Sequence, residues 1–287
     1  MSGIERVTVI GAGTMGHGIA QAAASAGWDV WLTDERPEAL PAALASIARN
    51  LDGAVSRGKM ERAMADTIQR RIHPTSSIVE AARGSDLVIE AVVEDLPVKQ
   101  AVLKQAASSA KSRALLASNT SSLSITEISK TLPCSGRFLG LHFFNPVHLM
   151  KLVEIVVHQR TTEEARAEAL EIVKALGKEA IVVQDSPGFA SSRLGVVLGL
   201  EAMRMVEENV ASAADIDRAM ELGYNHPMGP LKLTDLVGLD VRLRIAEYLH
   251  QSLGGAQYEP PAILKRLVAE GKLGKKSGEG FYEWKQP

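Results

Sequence analysis

Short β-branched runs alternate with longer amphipathic stretches over roughly the first two-thirds of the chain. Residues 4–10 predict a buried strand, and the alanine-rich stretch up to Gly27 predicts a helix with glycine past its end. Asp29 to Thr33 predicts a second strand. Residues 38–72 predict helix, interrupted near Ser56-Arg57-Gly58-Lys59. Strand follows at 86–92, helix at 97–111 and strand at 114–117. Ser118-Asn119-Thr120-Ser121-Ser122 is a polar loop, and Ile125 to Lys130 a short helix. Strands at 138–144 and 152–157, a helix at 162–176 and a strand at 180–183 complete the series. This order predicts an α/β fold with a doubly wound, mostly parallel sheet and helices on both of its faces.

The pattern changes after Asp185-Ser186-Pro187-Gly188. Residues 189–210 form one long helical pattern. Further helices are expected near 213–222, at 231–253 and after Pro260-Pro261, with at most a short strand at Phe281-Tyr282-Glu283. The expectation is two domains, 1–185 of α/β class and 186–287 all-helical. No internal repeat or low-complexity segment interrupts them.

Composition narrows the function classes. Of 287 residues 46% are apolar, enough for a core, so a disordered chain is excluded. Lys+Arg is 32 and Asp+Glu 34, a net charge of −2, which argues against a general nucleic-acid or membrane-surface binder. The lone Cys134 excludes an intrachain disulfide and a cysteine metal cluster. No metal site is expected. No apolar run reaches the ~18 residues of a membrane span, and the N-terminus lacks a secretory pattern, so a cytoplasmic location is expected.

Gly11-Ala12-Gly13-Thr14-Met15-Gly16 follows the first strand at once and opens the first helix. The second strand ends in Asp34, about twenty residues past the last glycine. In this order each residue has a physical task. Gly11 permits the tight turn, Gly13 lets the backbone approach a pyrophosphate, and Gly16 lets helix and strand pack closely. The helix N-terminus offers N–H donors and a positive dipole to phosphate. Asp34 can accept both ribose hydroxyls and would repel a 2′-phosphate, which favours NAD over NADP, although Arg36 close by can serve a 2′-phosphate. FAD also uses this motif, but no second FAD signature is present. The expected first domain is therefore a Rossmann-like NAD-binding domain.

Ligands of such sheets bind outside the carboxyl ends of the strands. The Ser118–Ser122 loop, His142 and Glu154 fall there. His142 and Glu154 are polar positions in apolar strands, symmetrical about residue 148. A hairpin around 145–151 would make them cross-strand partners. A carboxylate on one imidazole nitrogen fixes the tautomer and leaves the other as a general base, which alcohol oxidation needs beside a hydride acceptor. Two other readings stay open: a core histidine with a surface glutamate, and His148 in the same loop as a rival base.

Ser118-Asn119-Thr120-Ser121-Ser122-Leu123, His142-Phe143-Phe144-Asn145-Pro146, Pro187-Gly188-Phe189, Asn225-His226-Pro227-Met228-Gly229-Pro230 and Lys276-Ser277-Gly278-Glu279-Gly280-Phe281-Tyr282 occur together and in order. With these motifs the chain resembles, over nearly its whole length, the L-3-hydroxyacyl-CoA dehydrogenase family, most of all its short bacterial 3-hydroxybutyryl-CoA dehydrogenases. The resemblance implies reversible NAD-dependent oxidation of (S)-3-hydroxyacyl-CoA to 3-oxoacyl-CoA. It implies His142 as base, Glu154 as its partner, and Ser121 as the serine that bonds the reacting oxygen and contacts cofactor and substrate. Asp34 matches the adenosine-ribose acid, and Glu94, Lys99 and Asn145 match residues lining the nicotinamide half. Arg57 and Lys59 match the region that meets the CoA phosphates. A solvated helix face is the competing reading there, since Gly53 sits where relatives can carry lysine. The family habit implies a homodimer through the helical domain, where residues 194–206 read apolar around much of a helix, with burial inside one subunit as the competing reading.

One position departs from the family pattern. Ser192 stands where an asparagine is usual after Pro-Gly-Phe, and an amide reaches farther and offers two donors. The expectation is retained catalysis with altered substrate preference, and Ser192 stays a candidate catalytic residue. Three rival readings share parts of the pattern. A β-hydroxyacid dehydrogenase of the 6-phosphogluconate type needs a lysine base on the first helix of the second domain, and Leu194 to Glu208 contains none. A sugar-acid dehydrogenase of the lens-crystallin branch lacks the His142–Pro146 segment. A nucleotide-binding relative without turnover would have little use for a His142–Glu154 pair, while Ser192 weakly favours it.

Overall fold

The computed structural model describes residues 3–284. It divides into two compact units that part between Asp185 and Ser186. The first unit begins with β1 (Arg6–Ile10), α1 (Thr14–Ser25) and β2 (Asp29–Thr33). It continues through α2 (Ala39–Ser56), α3 (Arg62–Arg70), β3 (Ile72–Thr75), α4 (Ile78–Ala82) and β4 (Leu87–Glu90). Then come α5 (Leu96–Ala107), β5 (Leu115–Ser118), α6 (Ile125–Ser129), β6 (Phe138–Phe143), β7 (Leu152–Val157), α7 (Glu163–Ala175) and β8 (Glu179–Gln184). The strands form one sheet in the order β3-β2-β1-β4-β5-β6-β7-β8. All neighbours run parallel except β6 and β7.

Every residue of β4, β5 and β6 is buried, as apolar central strands require when both faces are covered. Val9, Ile19, Leu32, Ile89, Leu115 and Leu141 belong to the core around them. Helix starts follow side-chain chemistry. Asp95, Ser124 and Thr162 accept the N–H of Val98, Glu127 and Ala165 at the starts of α5, α6 and α7. Chain order reverses on either side of β1, whose neighbours are β2 and β4, so a crevice opens at the carboxyl ends of β1 and β4.

Two details differ from the periodicity. The expected helix over 38–72 is two helices, and Ile72 begins a strand instead of ending a helix. β3 has four residues, too few to show alternation, and it lies at the sheet edge, where Pro74 costs no ladder bond to a further strand. The expected helix over 231–253 is broken at Gly238, whose φ of 102° no α-helix accommodates.

The second unit comprises α8 (Ser191–Glu207), α9 (Ala213–Gly223), α10 (Pro230–Val237), α11 (Leu239–Leu253) and α12 (Ala262–Ala269). Val196, Leu200, Met203, Leu231, Leu249 and Leu264 form its core. Residues 281–283 make only an isolated bridge, Glu279 with Glu283. Two buried acids organise this end of the chain. Asp217 accepts the N–H groups of Leu231 and Lys232 and the Tyr282 hydroxyl. Burial and the adjacent Asp217 push the Tyr282 phenol up. Asp235, 1% exposed, accepts the N–H groups of Phe281 and Tyr282 and the Trp284 indole N–H. Asp235→Ala orphans these three donors, so stability should fall by about 2–4 kcal/mol. A chemical-denaturation midpoint measures the loss, and a change under ~0.5 kcal/mol would contradict this role. Among the described residues no helix is long and apolar enough to cross a membrane.

Candidate active site

The glycine turn sits at the crevice, and its three glycines are required for three different reasons. Gly11 has φ 104°, and a Cβ there would lie 2.5 Å from the Ala91 carbonyl oxygen. A Cβ on Gly16 would lie 1.7 Å from the Gly11 carbonyl oxygen. Gly13 has no atom within 4 Å of that position, so its backbone faces open space. α1 starts there with no side-chain cap, which leaves its first N–H groups to serve an anion. Asp34 lies just past β2 and is nearly buried. Its Oδ2 accepts the Ala12 N–H at 2.7 Å and its Oδ1 the Arg36 N–H at 2.9 Å. The exposed Arg36 side chain comes within 3.6 Å of the same carboxylate. A cleft of about 410 Å³ is lined by Gly11, Gly13, Asp34, Arg36, Val92 and Val93 among others. This is the shape and chemistry an adenosine diphosphate half requires.

His142 and Glu154 are direct partners in the antiparallel β6–β7 register. His142 Nδ1 and Glu154 Oε2 are 2.6 Å apart, with Glu154 fully buried and His142 nearly so. With Nδ1 donating to the carboxylate, the acceptor lone pair belongs to Nε2. Phe144 packs against the imidazole at a ring-centroid distance of 4.6 Å. His148 is exposed and has no carboxylate partner among the described residues, and burial with Lys178 nearby pulls it below its ordinary value. It lines a different cleft.

The serine loop is bound to the β4–α5 connection through Glu94. Glu94 Oε1 accepts the Thr120 hydroxyl at 2.6 Å, the Ser121 N–H at 3.0 Å and the Ser122 N–H at 3.1 Å. Burial works against the charge on Glu94, yet Lys99 and the hydroxyls of Thr120 and Ser122 hold it below its ordinary value. Asn119 ties the loop to β6 by accepting the Phe143 N–H at 2.8 Å. The Ser121 side chain is exposed, and its hydroxyl has no partner among the described residues. Asn145 is exposed at the end of β6.

Three residues here were not singled out from the sequence. Glu90 ends β4, is fully buried, and receives Lys99 Nζ at 2.7 Å, the Val92 N–H at 2.7 Å and the Ser118 hydroxyl at 2.6 Å. Its signal was an acid closing the apolar run Leu87-Val88-Ile89. Asn119 is the second. Lys178, beyond α7, is the third. Its ammonium donates to the carbonyls of Val147 and Met150, and burial lowers it. Arg57, Lys59, His148 and Lys178 line one cleft of about 460 Å³, so Arg57 and Lys59 share it with the Lys178 ammonium and the His148 imidazole. The Arg57 guanidinium lies over Gly53, where a Cβ would come 3.1 Å from it. Ser192 belongs to the second unit, half-buried in the first turn of α8.

Comparison with known proteins sets this geometry in a family. Residues 6–186 match the 3-hydroxyacyl-CoA dehydrogenase NAD binding domain, and residues 188–284 match the C-terminal domain of the same enzymes. The chain is 42% identical to a probable 3-hydroxybutyryl-CoA dehydrogenase of Bacillus subtilis, over 99% of this chain and 98% of that one. It is 40% identical to the 3-hydroxybutyryl-CoA dehydrogenase of Clostridioides difficile, over 97% and 99% of the two chains. The crystal structure of the (S)-3-hydroxybutyryl-CoA dehydrogenase from Ralstonia eutropha is similar with a TM-score of 0.94. It is 38% identical, covering 99% of this chain and 100% of that one. Both domains match in tandem over nearly the full length: the chain belongs to the 3-hydroxyacyl-CoA dehydrogenase family.

Proposed function

We propose that this protein oxidises (S)-3-hydroxyacyl-CoA thioesters, short ones of the 3-hydroxybutyryl type, reversibly to 3-oxoacyl-CoA with NAD. The observation that carries the reading is the His142–Glu154 pair, set in the strands of a sheet whose carboxyl edge also holds the glycine turn and Asp34. When bound, NAD supplies the hydride acceptor for C3 of the substrate. His142 Nε2 takes the hydroxyl proton, and Glu154 steadies the charge that the imidazole then carries. The Ser121 hydroxyl bonds the reacting oxygen. Glu94, Lys99 and Asn145 flank the nicotinamide half, and Asp34 accepts the adenosine ribose hydroxyls. Arg57 and Lys59, with His148 and Lys178 in their cleft, suit the CoA phosphates.

In this reading residues 1–185 are the NAD-binding domain, and residues 186–287 are the substrate and dimerisation domain. Leu194 on α8 is 72% exposed, an apolar side chain that a second copy would cover. The enzyme works in the cytoplasm as a homodimer, and neither a nucleic acid nor a membrane is its partner. The test is absorbance at 340 nm with acetoacetyl-CoA and NADH. Oxidation is expected, and silence across several acyl lengths with both NADH and NADPH would refute the reading.

Ser192 bears on substrate choice. Ser192→Asn restores a longer side chain with two donors. It should change the kcat/KM ratio between short and longer acyl-CoA substrates by about tenfold, the scale of one altered polar contact. Ratios that stay constant over the panel would remove Ser192 from the site.

A further inference from the structure

Glu90 and Lys99 form a buried ion pair in the first unit, and the half-exposed Glu94 completes a three-charge array with them. Glu90 and Lys99 are 0% and 1% exposed. Lys99 Nζ lies 2.7 Å from Glu90 Oε1 and 3.2 Å from Glu94 Oε2. Glu90 takes no surface role. Oε1 receives Lys99 and the Val92 N–H, and Oε2 receives the Ser118 hydroxyl. These donors suit an ionised carboxylate. Burial still leaves Glu90 above its ordinary value, with Lys99, the Ser118 hydroxyl and the Val92 N–H pulling the other way. Two carboxylates then face one ammonium, a net of one negative charge. The array is rigid as well as charged, because Glu94 holds the backbone of Ser121 and Ser122 while Glu90 holds Ser118.

NAD+ and NADH differ by one positive charge, located on the nicotinamide ring. We propose that Glu90 is a positioning residue whose charge, relayed through Lys99 and Glu94, makes this site favour the oxidised cofactor over the reduced one. This rests on the reading that NAD binds with its reactive half beside Glu94 and Lys99. Glu90 itself touches neither cofactor nor substrate. It fixes the ammonium of Lys99 and leaves the array one negative charge in excess. A unit charge about 10 Å away, at an effective dielectric near 20, shifts an equilibrium constant on the order of tenfold.

The test is equilibrium binding to the full-length protein, with NADH followed by its fluorescence and NAD+ and ADP-ribose by competition. Wild type should bind all three, and failure to bind NADH would overturn the NAD reading and this inference with it. Glu90→Gln removes the charge and keeps the shape. The ratio of the NAD+ to the NADH dissociation constant should rise about tenfold, with ADP-ribose affinity within about twofold of wild type. A merely structural role would weaken both cofactors alike. An unchanged ratio in a variant that still binds NADH therefore overturns the inference and leaves the NAD reading intact. The double variant Glu90→Gln with Lys99→Met returns the array to one negative charge, and its ratio should return to within about threefold of wild type. Failure to return would also overturn the charge account. Should Glu90→Gln not fold, Glu94→Gln removes the same unit charge from a half-exposed side chain and must raise the ratio in the same direction.

Discussion

Replacing His142 with alanine should lower kcat by about 10²–10⁴-fold, the scale on which a positioned general base contributes. The KM for NADH should change little, because the cofactor cleft is lined by other residues. The reason lies in the strand pair. β6 and β7 place the imidazole opposite Glu154, and the 2.6 Å contact on Nδ1 assigns the basic lone pair to Nε2. Alanine removes the only imidazole so paired among the described residues. The rival His148 is exposed and lacks a carboxylate partner, so it cannot inherit the role. A second effect must be separated from the first. Glu154 is fully buried, and without His142 its charge loses the imidazole paired with it. Breaking a buried pair in this way costs about 3–5 kcal/mol of stability. Turnover is therefore measured below the variant's melting transition, with NADH fluorescence confirming an intact cofactor cleft. A kcat within threefold of wild type under those conditions would sink the assignment of His142.

Much of this arrangement is legible in the residues, and the reasons are local. Gly11, Gly13 and Gly16 stand in a fixed order after a strand, and each is dictated by backbone contacts within the same turn or the adjoining strand. The His142–Glu154 register follows from a hairpin, where position along one strand determines position along the next. What stayed hidden depends on contacts that no short window contains. Ile72–Thr75 is a strand because β2 pairs with it, and four residues show no period of their own. Gly238 breaks a helix that periodicity runs through. Lys178 lies past the end of a helix with no neighbouring motif to mark it, yet its ammonium closes on two carbonyls of the 145–151 loop. The resemblance names Lys99, but no sequence pattern ties it to Glu90, an acid at a strand end, until the fold brings them to 2.7 Å. Gathering Arg57 and Lys59 with His148 and Lys178 likewise takes α2, the β6–β7 connection and the end of α7 together.

Glu154→Gln gives the second large effect and the sharper test of the pair. The amide keeps the size of the side chain and removes its charge. Either its oxygen accepts from Nδ1 without stabilising the imidazolium, or its NH₂ donates to Nδ1 and inverts the tautomer. Both outcomes weaken proton removal at Nε2, and kcat should fall about 10²-fold or more. The loss must not add to that of His142→Ala. Once the base is gone the carboxylate has nothing to orient, so the double variant should be no slower than His142→Ala alone. Stability runs in the other direction. His142→Ala takes the imidazole away from a buried charge, whereas the double variant buries a neutral amide and should be the more stable of the two by about 1–3 kcal/mol. Kinetics of the wild type and the three variants, with denaturation curves of His142→Ala and the double variant, complete the cycle. Kinetic losses that multiply, or a double variant less stable than His142→Ala, would mean that the two residues act separately. Non-additive kinetics together with recovered stability would show that a single ion-paired unit supports the chemistry, and that the strand register which pairs His142 with Glu154 is what makes this sheet edge a catalytic one.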